Sequence, residues 1–135
     1  MAAYVEEGLS LKARLEGSFE DAIRRVREAF AGEGFGVLIE LDMQDTLKKK
    51  IGADFHRYVI LGTCNPGIAH RALSAVPEVG LLLPCNVCVY QDGNDVVVSA
   101  LNPEKALQAV GAEELRPMAE EAGQRIRRAM ASKPG

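Results

Sequence analysis

Two apolar runs, Cys85 to Tyr90 and Asp95 to Leu101, are joined through Asp92-Gly93-Asn94. Asp-Gly between such runs is a strong hairpin signal, because both residues tolerate positive φ. A hairpin makes its two strands antiparallel. With helical patterns before and after it, the chain reads as α+β.

The segments upstream alternate between the two periods. From Leu9 to Leu15 apolar residues fall on every second position, with Ser10, Lys12 and Arg14 between them, the pattern of a half-buried strand. Its expected inner face is Leu9, Leu11, Ala13 and Leu15. Ser18 then offers an N-cap with Asp21 three residues on, and Phe19, Ile23, Val26 and Phe30 repeat at helical spacing toward a stop near Gly32 and Gly34. Phe35 to Leu41 reads as a second strand, with Val37, Ile39 and Leu41 on one face and Leu38 on the other. Asp42 and Gln44 lead into a short helix ending at Gly52, where Lys48, Lys49 and Lys50 suit the negative pole of the dipole. Phe55 to Gly62 is a third strand, dense in Tyr58, Val59, Ile60 and Leu61 and therefore central.

Thr63-Cys64-Asn65-Pro66-Gly67 turns that strand into a helix. Asn65 is a good N-cap and Pro66 occupies the first helical position, where proline is favoured, so a helix is predicted to about Val76. Its buried stripe is Ile68, Ala69, Ala72, Leu73 and Val76, which leaves His70, Arg71 and Ser74 toward the other side. Pro77 ends it, and Pro84 opens the hairpin. Asn102-Pro103 repeats the cap-then-proline device before a short helix. A last amphipathic helix, about 112–131, buries Leu115, Met118, Ala119, Ala122, Ile126 and Met130. The sum is one sheet of about five strands with helices packed on it.

A chain of 135 residues with 47% hydrophobic content is one domain with a core of its own, flanked by a short N-terminal tail and a frayed end at 132–135. Its net charge of −3 supplies no electropositive field for a phosphate backbone, so no nucleic-acid partner is expected. No apolar run approaches the roughly 20 residues of a membrane span, and Met1 to Gly8 lacks a signal-peptide core. The expected location is the cytoplasm, without membrane association. No glycine-rich loop joins a strand to a helix, so a nucleotide phosphate has no cradle.

Three cysteines, Cys64, Cys85 and Cys88, are an odd number and argue for free thiols. Cys64 precedes the helix opening at Asn65-Pro66, where unpaired N–H groups and the helix dipole favour a thiolate. His70 follows about a turn and a half into that helix. Cys85 and Cys88 form a Cys-x-x-Cys, but on a strand residues three apart point to opposite faces, which opposes a shared metal or a redox pair. A bulge at Pro84-Cys85 would lift Cys85 out of the strand and make it the accessible thiol. The plain alternative is that the cysteines are small core hydrophobes and that His70 is a surface histidine. Zinc wants four ligands, and three thiols with two imidazoles in this spacing do not supply a structural site. No catalytic-triad or zinc-protease motif is present, and the sequence names neither a reaction nor a cofactor.

The run Tyr58-Val59-Ile60-Leu61-Gly62-Thr63-Cys64-Asn65-Pro66, followed by Ala69, Ala72-Leu73, Gly80-Leu81-Leu82-Leu83-Pro84-Cys85-Asn86 and Val89-Tyr90, resembles the prokaryotic family catalogued as domain of unknown function 302. The resemblance covers about Leu9 to Pro103, and Cys64, Pro66, Pro84 and Cys85 fall where that family's pattern has them. Cys88 departs from it, standing where an aliphatic residue is usual. The resemblance implies a curved, mainly antiparallel sheet carrying helices and a homodimer, with no established reaction.

Two readings follow. In one, Cys64, Asn65, His70 and Cys85 surround a site for a small ligand, a soft metal or an oxidant. In the other, the cysteines are structural and the domain is a non-enzymatic dimerisation or interaction module.

Overall fold

The structure is a computed structural model that describes residues 3–132. Past Ser132, the expected frayed end lies outside these residues. Six strands form one antiparallel sheet: β1 (Val5–Glu7), β2 (Ser10–Leu15), β3 (Gly36–Asp42), β4 (Tyr58–Cys64), β5 (Cys85–Asp92) and β6 (Asp95–Leu101), in the spatial order β1-β2-β6-β5-β4-β3. Five helices accompany it: α1 (Phe19–Ala31), α2 (Met43–Ile51), α3 (Pro66–Ala75), α4 (Pro103–Val110) and α5 (Arg116–Ala131). The sheet has six strands rather than about five, because the presumed N-terminal tail pairs with β2 as an edge strand. Leu9 therefore lies in the β1–β2 turn, 58% exposed, and not on the inner face expected of it.

The β5–β6 hairpin closes through Gly93 and Asn94, with Asp92 opposite Asp95. Only Gly93 takes a positive φ, 61°, which is the signature of a type II′ turn, matched to the right-handed twist of the strands. At the helix starts, Ser18, Asp42, Asn65 and Asn102 each accept a hydrogen bond from a backbone N–H of the first turn, satisfying donors the helix itself leaves open.

One face of the sheet carries the main core. Leu11, Ala13 and Leu15 from β2, Val87 and Val89 from β5, and Val96, Val98 and Ala100 from β6 pack beneath α1 and α5. Phe30 on α1 and Met130 on α5 are wholly buried there, each worth about 1.5–3 kcal/mol of transfer free energy.

A β-bulge in β3 changes what the other face looks like. Val37 pairs with Thr63 and Ile39 with Gly62, leaving Leu38 without a partner. One extra residue inverts the in–out alternation. Val37 thus packs on the core, whereas Ile39 and Leu41, expected beside it, point away and stand 53% and 41% exposed.

Candidate functional site

The site lies at the end of the sheet where β4 passes into α3. There a second, smaller core gathers Ala72, Val79 and Leu115, with Val76, Leu82, Leu83, Leu107 and Met118 around them. Pro77–Leu82 forms a 3-10 segment that carries the chain from α3 back to β5. Within this end of the molecule is a cavity of about 80 Å³. Its walls come from the β4–α3 junction, the start of β5, and helices α3, α4 and α5. Five of the lining residues are alanines: Ala69 and Ala72 on α3, Ala106 on α4, Ala119 and Ala122 on α5. Helices that meet through methyl groups leave space that larger side chains would have filled.

Cys64, the last residue of β4, and Cys85, the first of β5, both border this cavity. Thr63 stands opposite Cys85 in the ladder and donates from Oγ1 to the Cys85 carbonyl at 2.7 Å. The register runs unbroken from Thr63↔Cys85 to Tyr58↔Tyr90, so no bulge at Pro84-Cys85 lifts Cys85 out of the strand. Cys85 is placed instead by the alternation of β5, with Pro84 seated against Gly62. Burial pushes the Cys85 thiol up to about 11, with a smaller contribution from the charge Cys64 would carry. Cys85 is therefore a neutral thiol at physiological pH, the opposite of an activated nucleophile.

Asn65 also borders the cavity, but its polar atoms are engaged elsewhere. Its Oδ1 accepts from the Ile68 N–H at 3.2 Å, capping α3, and its Nδ2 donates to the Glu33 carbonyl at 3.4 Å. His70 is not brought to the site. It is exposed on α3, where its carbonyl accepts from Ser74 Oγ, and it is not among the cavity's lining residues. Leu73, expected in the buried stripe of this helix, is 42% exposed. Cys88 faces the other side of the sheet, opposite Ile60 and Ser99. Burial first, and then its hydrogen bond to Cys88, push the Tyr58 phenol above its ordinary range. His56 lies in an aromatic cluster, its ring centroid 4.0 Å from that of Phe55 and 6.1 Å from that of Tyr90.

Among the described residues no three His, Cys, Asp or Glu side chains gather as a metal-binding group, and no helix is long and apolar enough to cross a membrane. The contribution of α4 and α5 to the cavity was missed from sequence. Its trace there is the recurrence of alanine on the inward stripes at Ala106, Ala119 and Ala122, which by itself reads as ordinary helix packing.

The family model for the domain of unknown function DUF302 matches residues 11–132, nearly the whole described chain. The chain belongs to the DUF302 family. A crystal structure of an uncharacterized conserved DUF302 protein from Bacillus stearothermophilus is similar to it with a TM-score of 0.84 and 28% sequence identity, over 90% of this chain and 95% of that one. No curated protein matches the chain. The family match takes in α5, and with it the Met118, Ala119 and Ala122 wall of the cavity.

Proposed function

We propose that this DUF302 protein is a small-molecule-binding domain that holds an apolar group of its ligand in the cavity bordered by Cys64 and Cys85, without catalysing a reaction on it. The observation that carries this reading is the make-up of the wall. Apart from the two thiols it contains no ionisable side chain, and its Thr63 hydroxyl and Asn65 amide already have partners within the protein. General acid–base chemistry needs a titrating group beside the reacting atoms, and neither histidine is there. A charged group inside the cavity would lose its hydration without replacement, whereas an apolar one loses nothing. The thiols then serve as polarisable, weakly polar wall rather than as nucleophiles.

Titration of the protein with 1-octanol, followed by amide chemical shifts, tests this. Shifts at Ala72, Leu107 and Ala122 that saturate, and that vanish in Ala106→Phe, support a cavity ligand. Shifts spread over the surface, or unchanged in Ala106→Phe, would sink it. The double variant Cys64→Ser, Cys85→Ser separates wall from packing: weaker octanol binding in a stable fold supports the site, whereas unchanged binding with lowered stability makes the cysteines structural.

A second reading, assembly of two copies through the sheet face opposite the main core, is favoured by the outward Ile39 and Leu41. With Ile60 and the stacked Tyr58–Tyr90 pair they form an uncharged apolar patch running to the edge strand. A two-fold pairing of such a patch brings no like charges together. Sedimentation showing a dimer that Leu41→Lys converts to monomer supports it, and a concentration-independent monomer rejects it.

A further inference from the structure

The cavity has a polar neighbour. A groove of about 210 Å³ runs between α4 and α5, bordered by Glu104, Gln108, Glu113, Arg116 and Glu120, and it shares Leu107 and Ala119 with the cavity wall. Apolar cavity and polar groove therefore meet at two side chains. No residue of α4 is fully buried, and the helix packs on α5 through Leu107 in the smaller core and the Glu104–Arg127 pair, with Asn102 capping its start.

We propose that the ligand is an amphipathic molecule with a single aliphatic chain and a cationic head, of the alkylammonium class, its chain in the cavity and its head in the α4–α5 groove. This rests on the cavity-binding reading above and extends it. The cavity fixes the tail: alanine methyls and the side chains of Ile68, Leu82 and Met118 offer dispersion contacts, and apart from the two weakly polar thiols its side-chain donors and acceptors, on Thr63 and Asn65, are already engaged. A head attached to such a tail has to stay in water, and the groove is a polar surface that shares Leu107 and Ala119 with the cavity wall.

The groove fixes the sign of the head. Arg116 is held by Glu113 through contacts of 2.6 to 2.9 Å, so its charge is spent locally. Glu104 is paired with Arg127 at 2.7 Å. Glu120 forms no salt bridge among the described residues and acts on Arg116 through its field alone. The unbalanced charge of the groove is thus negative. An ammonium head placed beside Glu120 gains Coulomb energy, and a carboxylate head in the same place is repelled.

Three probes of equal chain length test the proposal on the full chain at neutral pH and low salt: octylammonium, 1-octanol and octanoate, each titrated by amide chemical shift. The expected result is that octylammonium binds several-fold more tightly than octanol and octanoate binds weakest. Octylammonium alone should shift Gln108 and Glu120, and its advantage should disappear in Glu120→Gln and at high salt while octanol affinity holds. Equal affinity for octylammonium and octanol, or a preference for octanoate, overturns the head assignment and leaves the cavity reading standing. Absence of binding by all three overturns both.

Discussion

The ring of Pro84 rests against the bare α-carbon of Gly62. A Cβ on residue 62 would lie 2.8 Å from Pro84 Cγ, closer than such atoms approach, and a tight 3.3 Å from Ile39 Cβ. Gly62 thus lets the start of β5 close onto β4, and Cys85 takes its place on the opposite face, at the cavity. The requirement is one of space, since the backbone of Gly62 has no positive φ.

Gly62→Ala should accordingly destabilise the fold by about 1–3 kcal/mol, the usual cost of overpacking. Urea denaturation measures it directly. Cys85 amide and side-chain resonances should move in the same variant, while those of Phe30 and Met130, in the main core, stay in place. A variant as stable as the parent would show that Pro84 yields freely and does not position Cys85.

Raised pKa values on buried acids make stability depend on alkaline pH. The Cys85 thiol is near 9.0 when unfolded and about 11 in the native state, so the unfolded chain releases its proton first. Stability from this group is whole below pH 9 and declines as pH rises from about 9 to 11. Tyr58, raised by burial, acts in the same direction. Denaturation midpoints measured across this range should fall, and fall less in Cys85→Ser. Iodoacetamide should correspondingly label native Cys85 slowly at neutral pH, and its rate should climb toward pH 11 rather than level off near 9.

Two residues singled out together from sequence should behave differently on mutation. Asn65→Ala removes the cap on α3 and the contact to the Glu33 carbonyl, and should lower stability by about 0.5–2 kcal/mol in thermal or urea unfolding. His70→Ala changes an exposed side chain outside the cavity, and should leave both stability and octanol binding within about 0.5 kcal/mol of the parent. Loss of octanol binding in His70→Ala would return the histidine to the site.

Local physics made much of this fold readable in advance. Asn65-Pro66 and Asn102-Pro103 announce helix starts because capping and proline geometry are satisfied within one turn. Asp92-Gly93-Asn94 announces the hairpin for the same reason. The alternation of β5 puts Cys85 and Cys88 on opposite faces, as residues three apart on a strand must be. Where a single residue alters register, that logic fails: the unpaired Leu38 inverts β3, and Ile39 and Leu41 end on the face no local pattern assigned them. The three-residue β1 was too short to show a period at all.

The sequence by itself determined the helices and every strand except β1, the helix caps, the hairpin, and the presence of two cysteines beside prolines. Only the tertiary structure decided that Cys64 and Cys85 border one cavity, that His70 stays outside it, and that α4 and α5 complete its wall. The reason is physical. Caps and turns are settled by residues within a few positions of one another, whereas a cavity is the space left when distant segments stop short of contact, and Ala72, Ala106 and Ala119 carry no sign of it until their helices are brought together.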